Sequence, residues 1–328
     1  MRETWRCVRA GALVLLIVIT LNCVYTPGEI RTVDRSGDSF SKRPKTFPED
    51  ETEPRKIYID LGANWAQTLD LHTRLCKAVT CPDENIPFKV FSFEASPYIA
   101  PFVEATVSAR NAGRAGPSLP FPSAGSTRDL IRINRESREC PESSPDELRK
   151  CYYERHKHSL DQLKPLQRLN SSSLIEERLR YADVESQNTD RYVFIPAAVG
   201  VENTWLKVKQ SKLSLLIGGT TSKGTAANFD HLNDELFPET HVRIVDFVQW
   251  LTSYMRISDF VLVKMDVEGA EHWIIPHLIE TGADSLIDVL AWECHGKGGE
   301  CPKLAQRLDK TSIHVLDEKK DYDGWGSE

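Results

Sequence analysis

The chain has 328 residues, 40% of them hydrophobic and 27% charged, with a formal net charge of -7. That length holds one large domain with appendages, or two small domains. The mild acidity, with no block of basic residues, argues against a nucleic-acid partner, because phosphate binding needs a basic surface.

Arg2, Arg6 and Arg9 precede an uncharged stretch, residues 10–25, "AGALVLLIVITLNCVY". As a helix it would run about 24 Å at the usual rise per residue, close to the thinner membranes of the early secretory pathway. The arginines put residues 1–9 on the cytosolic side. A cleaved signal peptide has the same pattern, but no clean small-residue cleavage site stands nearby and Pro27 follows Thr26. A retained signal-anchor is the leading reading and a secreted chain the alternative. Both deliver the rest of the chain to the lumen of the Golgi or endoplasmic reticulum. Residues 26–54 are polar and proline-rich without an apolar period, and read as a flexible stem.

From residue 55 the composition turns globular. Five apolar runs succeed one another: 56–61 "KIYIDL", 89–95 "KVFSFEA", 192–200 "YVFIPAAVG", 259–266 "DFVLVKMD" and 286–293 "LIDVLAWE". Near-continuous apolar runs suit strands covered on both faces. Amphipathic stretches between them, "WAQTLDLHTRL", "PYIAPFVEATVSAR", "VDFVQWLTSYM" and "EGAEHWIIPHLIETG", read as helices. The alternation predicts an α/β fold with a Rossmann-like, doubly wound, mostly parallel sheet. "TWLKVKQSKLSLLIGG" reads as an inserted strand pair. The second and third strands are separated by far more chain than a crossover needs. The extra part, about residues 112–185, includes the helical "SPDELRKCYYERHKHSLDQL". It is either an ordered cap over the site or a decoration.

Eight cysteines are present, and Cys7 and Cys23 lie in or beside the apolar stretch. The other six form near-neighbour sets: Cys76 with Cys81, Cys140 with Cys151, Cys294 with Cys301. In an oxidising lumen an even number reads as disulfides. Local pairing is preferred, with other connectivities open. Zinc is rejected, since no C-x-x-C occurs and the spacing to histidines is irregular. "NSS" at Asn170 is a glycosylation sequon.

The chemistry-bearing residues cluster at strand ends, where ligands of doubly wound sheets bind. Asp60 and Gly62 in "DLGAN" form a corner that serves either a plain turn or the close approach of a ligand. Ala66 stands where a third glycine would complete a dinucleotide fingerprint. Glu94 ends the second strand, where an acid can take ribose hydroxyls, or is simply an exposed carboxylate. Asp266, Glu268 and Glu271 gather where the fourth run gives way to a helix. Capping that helix is the plain role for the two glutamates. Asp266 ends an apolar run, where burial is costly without a partner. Glu293 and His295 end the fifth run on the same edge. If those strands are neighbours, Asp266 and Glu293 face each other and can bind a divalent cation or share a proton.

Taken in order, "YIDLGAN", "FSFEASP", "PAAVG", "VDFVQWL", "VKMDVEGAE" and "WECH" resemble the successive motifs of the FkbM-type methyltransferase family, over about residues 55–300 apart from the insertion. The resemblance implies a class I methyltransferase fold for residues 55–328, S-adenosylmethionine as cofactor and methyl transfer to a hydroxyl oxygen. Asp60, Gly62 and Asn64 then resemble the cofactor corner, Glu94 the ribose acid, and Asp266 and Glu268 the acidic signature at the reaction edge. Trp65 and Ala66 depart from the family's usual apolar–glycine pair. In the lumen the natural acceptor is a glycan hydroxyl, with Asp266 or His295 as the candidate base. A luminal glycosyltransferase is the enzyme alternative, weakened because "MDVEG" gives D-x-E and not D-x-D. An inactive binding protein of the same fold is the third reading.

Overall fold

The computed structural model describes residues 54–317, apart from 80, 83–84, 123–126, 142–143, 185, 218–236 and 296–298. All lie in the unit Pro44–Glu328. The expected tail, the apolar stretch 10–25 and all but the last residue of the stem fall outside them. Among the described residues no helix is long and apolar enough to cross a membrane.

Six strands form the central sheet: β1 (Lys56–Leu61), β2 (Phe88–Phe93), β3 (Tyr192–Ile195), β7 (Phe260–Met265), β8 (Val289–Trp292) and β9 (His314–Asp317). Their order is β3-β2-β1-β7-β8-β9, and every pairing is parallel. Strand order therefore reverses between β1 and β7, the switch point of a doubly wound sheet. The expected α/β architecture is present.

Alternation along the strands builds two cores. Ile57, Ile59 and Leu61 of β1 share one face with Phe91, Phe93, Val261, Val263 and Met265. That face is covered by α7 (Phe247–Tyr254) and α8 (Glu271–Thr281), through residues such as Leu251, Ile274 and Leu278. The opposite face carries Tyr58, Val90 and Leu262 and meets α1 (His72–Ala78) and α2 (Ala100–Asn111). Coverage on both faces explains why the strands read as unbroken apolar runs.

One row breaks that rule. Register sets Ser92 and Lys264 on either side of Asp60, so three polar side chains cross adjacent strands one residue before the strand ends. Their exposures are 0%, 1% and 0% for Ser92, Lys264 and Asp60.

The insertion is an ordered layer. It holds α3 (Thr127–Ser137), α4 (Pro145–Asp161) and α5 (Ser172–Arg180). Ser144 caps α4 by accepting from the Glu147 N–H at 3.2 Å. Phe121, Leu130, Leu148, Tyr152 and Leu160 pack into the second core, each worth roughly 1.5–3 kcal/mol when fully buried. The disulfides pair locally, Cys76–Cys81, Cys140–Cys151 and Cys294–Cys301, with Cα separations of 5.3, 5.9 and 5.8 Å. Asn170 is half-buried, and its Nδ2 donates to the His241 carbonyl. A glycan on that nitrogen would leave one N–H for this bond.

Several expected elements differ in detail. The run 192–200 splits at Pro196, which has no N–H for a ladder. The strand β4 (Ala198–Gly200) leaves the main sheet and pairs parallel with β6 (Thr240–Asp246). The expected strand pair in "TWLKVKQSKLSLLIGG" is one strand, β5 (Thr204–Val208), followed by a helix, α6 (Lys212–Ile217). The antiparallel partner of β5 is β6, whose alternating "THVRIVD" went unread. The helix expected from Trp65 begins only at His72, because Asn64 and Ala66 sit at φ 47° and 62°, a left-handed conformation that no helix continues through. Four further elements, α3, α5, α9 (Glu300–Leu308) and the edge strand β9, likewise lie outside the expected set.

Candidate functional site

The corner after β1 is built by the chain's own close packing. Gly62 has φ +87°, and a Cβ there would lie 2.0 Å from the Asp266 backbone oxygen. The glycine thus accommodates the exit of β7, and the approach of a ligand is not what demands it. Below the corner Lys264 lies buried. Its Nζ is 3.3 Å from Asp60 Oδ1 and 3.5 Å from Asp266 Oδ2, and it donates to the Gly62 carbonyl. Thr68 Oγ1 donates to Asp60 Oδ2 at 2.7 Å. Burial opposes the lysine's charge, but Asp60 and Asp266 hold it above the usual lysine range. Asp60 is therefore a wholly buried internal ion-pair partner.

Glu94 latches two loops together. Its Oε2 accepts from the Asn64 N–H at 2.9 Å and its Oε1 from the Ser96 N–H at 2.7 Å. It is 8% exposed, not the exposed strand-end carboxylate of the plain reading. Burial pushes its carboxyl up to about 7, against the two backbone hydrogen bonds. Because the folded value lies above the ordinary one, the protonated form is favoured in the fold. Its contribution to stability is complete below about pH 4.3 and is lost as pH rises toward about 7. Melting curves between these limits should fall with pH in the native chain and fall less in Glu94→Gln. Equal slopes would show that Glu94 does not titrate in this range.

Beside Glu94, Asn64 Oδ1 is buried and accepts no hydrogen bond from the described residues. Trp65, the next residue, packs into the second core. It is 3% exposed, its Nε1 donates to the Leu215 carbonyl of α6 at 2.7 Å, and its ring meets Phe102 and Phe121 edge-on at 5.5 and 5.2 Å. The insertion and α6 thus close over the corner through one indole.

The second half of the site sits at the ends of β7 and β8, which are neighbours as expected. His295 occupies its centre. Nδ1 lies 3.0 Å from Oε1 of Glu271, a residue with no exposed surface. Nε2 faces Asp266 Oδ1 at 3.8 Å, Glu268 Oε2 at 3.9 Å and Glu293 Oε1 at 3.9 Å. Asp266 and Glu293 therefore meet through the imidazole between them. Burial disfavours the charged ring, yet the Glu271 hydrogen bond and the charges of Glu268 and Asp266 push it up to about 10. Burial, with its acidic neighbours, pushes Glu268 up to about 7, against the pull of His295.

Local structure holds the imidazole in place. Glu268 and Gly269 turn the chain with φ 54° and 104°. Glu271 reaches back from α8 to accept from the Val267 N–H at 3.2 Å, a bond to the turn before the helix, while the N-cap position Ala270 has no side-chain cap. The disulfide Cys294–Cys301 ties the residue before His295 to α9, and His272 Nε2 lies 2.6 Å from the His295 carbonyl oxygen.

One residue central to this arrangement, Lys264, is absent from the sequence reading, and another, Glu271, carries a different role there. Lys264 had a visible signal, a lysine inside the apolar run "FVLVKM", which burial makes costly unless a charge answers it. Glu271 was read as a cap, and nothing local to its sequence announces His295 as a partner 24 residues on. Neither a family model, nor a curated protein, nor a solved structure matches this chain.

Proposed function

We propose that the protein is an S-adenosylmethionine-dependent O-methyltransferase whose acceptor is a hydroxyl, that of a glycan in the secretory lumen. One observation carries the reading: at the carboxyl edge of the sheet, Asn64 has an orphaned acceptor, Oδ1, and its backbone N–H donates to Glu94. This pair suits the polar groups of the cofactor. Each Glu94 oxygen spends one lone pair on a backbone N–H and keeps acceptor capacity for a ribose hydroxyl. Asn64 Oδ1 can take an N–H or O–H donor.

When bound, the cofactor supplies an electrophilic methyl group on a sulfonium. The chain's own residues must then bring the acceptor hydroxyl into line, exclude water and take up its proton. Asp266, 22% exposed at the side chain, is the carboxylate that both reaches solvent and touches Lys264 beneath the corner. It is the group assigned to receive that proton. His295 orients it and holds positive charge between the carboxylates. Glu293, at the end of β8, borders the same space.

Trp65 favours a second reading, a chain that kept the fold and binds no nucleoside, because the large indole that follows Asn64 at the corner is tied to α6 and the insertion. Calorimetry with S-adenosylhomocysteine decides between the two. Saturable binding is expected, and Glu94→Ala should weaken it by about 1.5–3 kcal/mol for each charged hydrogen bond lost. No binding to the folded native chain would favour the second reading. Native affinity in folded Glu94→Ala would remove Glu94 from the cofactor site.

A further inference from the structure

We infer that Asp266, Glu268 and His295 bind one divalent cation of the Mn2+ type, held in place by Glu271. The inference goes beyond methyl transfer and stands on the geometry of the cluster, whatever the acceptor.

The carboxylate oxygens of Asp266 and Glu268 lie 3.8 and 3.9 Å from His295 Nε2, too far for hydrogen bonds. Two ligand atoms each about 2.1 Å from one ion lie between about 2.9 Å apart in cis and about 4.2 Å apart in trans. The observed gaps fall inside that window. The candidate ligand atoms of Asp266, Glu268 and His295 all lie within 4.8 Å of one another, so side-chain shifts under about 1 Å close them on a common centre.

The second observation is Glu271. It is wholly buried, yet only Oε1 is used, by His295 Nδ1 and the Val267 N–H. Its other oxygen, Oε2, is buried without a hydrogen-bond partner among the described residues. A buried carboxylate on Nδ1 is how proteins fix the tautomer that presents Nε2 to a metal and raise its basicity. The excess of negative charge points the same way. Among the described residues four carboxylates surround one imidazole, and Lys264, which reaches Asp266, is shared with Asp60. Two carboxylate oxygens and one imidazole nitrogen, with water completing the shell, make a hard set that favours Mn2+ over a softer ion. As the cation arrives, the Nε2 proton leaves to solvent.

The other cysteine–histidine cluster does not compete. His272 lies near Cys294 and Cys301, but both sulfurs are committed to the disulfide.

Mn2+ titrated into the full chain, followed by electron paramagnetic resonance and calorimetry, tests the site without any methyl transfer. One saturable site tighter than about 1 mM is expected. The double variant Asp266→Asn, Glu268→Gln should abolish it, and Glu271→Gln should weaken it about 10–100-fold, with circular dichroism confirming each fold. The inference is overturned if the native chain shows no saturable binding below that concentration, or if the folded double variant binds as tightly as the native chain. Binding of S-adenosylhomocysteine is read separately, so loss of the cation site and loss of the cofactor reading are distinguishable.

Discussion

Lys264→Met is expected to destabilise the domain by about 3–5 kcal/mol, the cost of leaving one member of a buried ion pair alone. The methionine fits the volume, so packing is not what fails. Asp60 has no exposed surface, and without Nζ at 3.3 Å its remaining hydrogen bond comes from Thr68. The carboxylate must then stay charged in an apolar layer or take up a proton. Loss of the Lys264 bond to the Gly62 carbonyl adds to the cost. Removing both charges should recover much of the stability, because an apolar or neutral pair is often as stable as a buried salt bridge. Asp60→Asn, Lys264→Met is therefore expected to melt well above Lys264→Met alone. Chemical denaturation of the native chain, both single variants and the double completes the cycle. A single lysine variant within about 1 kcal/mol of native would mean that Asp60 is neutral in the fold and the pair stabilises nothing.

The same lysine indicates which features could be read in advance. Strand positions were legible wherever an apolar run ended in a polar residue, since strands covered on both faces admit few polar groups. Asp60, Glu94, Asp266 and Glu293 were all located that way, and all lie at the carboxyl edge of the sheet. What each one touches was not legible. The corner of Asp60 and Gly62 reads as either a turn or a ligand's approach; Asp60 is a buried counter-ion and Gly62 makes room for Asp266. Both outcomes depend on β7 lying next to β1, a pairing across about 200 residues of chain that no local window contains. The second sheet shows the same limit. β5 was visible, but its partner arrives over 30 residues later, and a leucine-rich helix resembles a strand in so short a run. Trp65 was noticed as a departure from the expected motif, while its packing depends on Phe121 and Leu215, both distant in sequence.

Asp266→Asn should lower methyl transfer about 10²-fold or more while leaving S-adenosylhomocysteine affinity near native, if this carboxylate receives the acceptor's proton. A purely structural role at the start of α8 would predict otherwise, because an amide oxygen can still accept from a backbone N–H. That role is now weaker. The N-cap position of α8 is Ala270, with no side-chain cap, and the Val267 N–H goes to Glu271. The polar atoms near Asp266 are instead Lys264 Nζ at 3.5 Å and His295 Nε2 at 3.8 Å. An asparagine keeps the shape and removes the charge that both cations face. The assay pairs labelled S-adenosylmethionine with a mixed glycan pool and measures turnover beside calorimetric affinity. Near-native turnover by a folded Asp266→Asn would exclude it as the base. Glu293 and Glu268, on the other sides of the same imidazole, would then inherit the role, each tested by its own glutamine variant in the same assay.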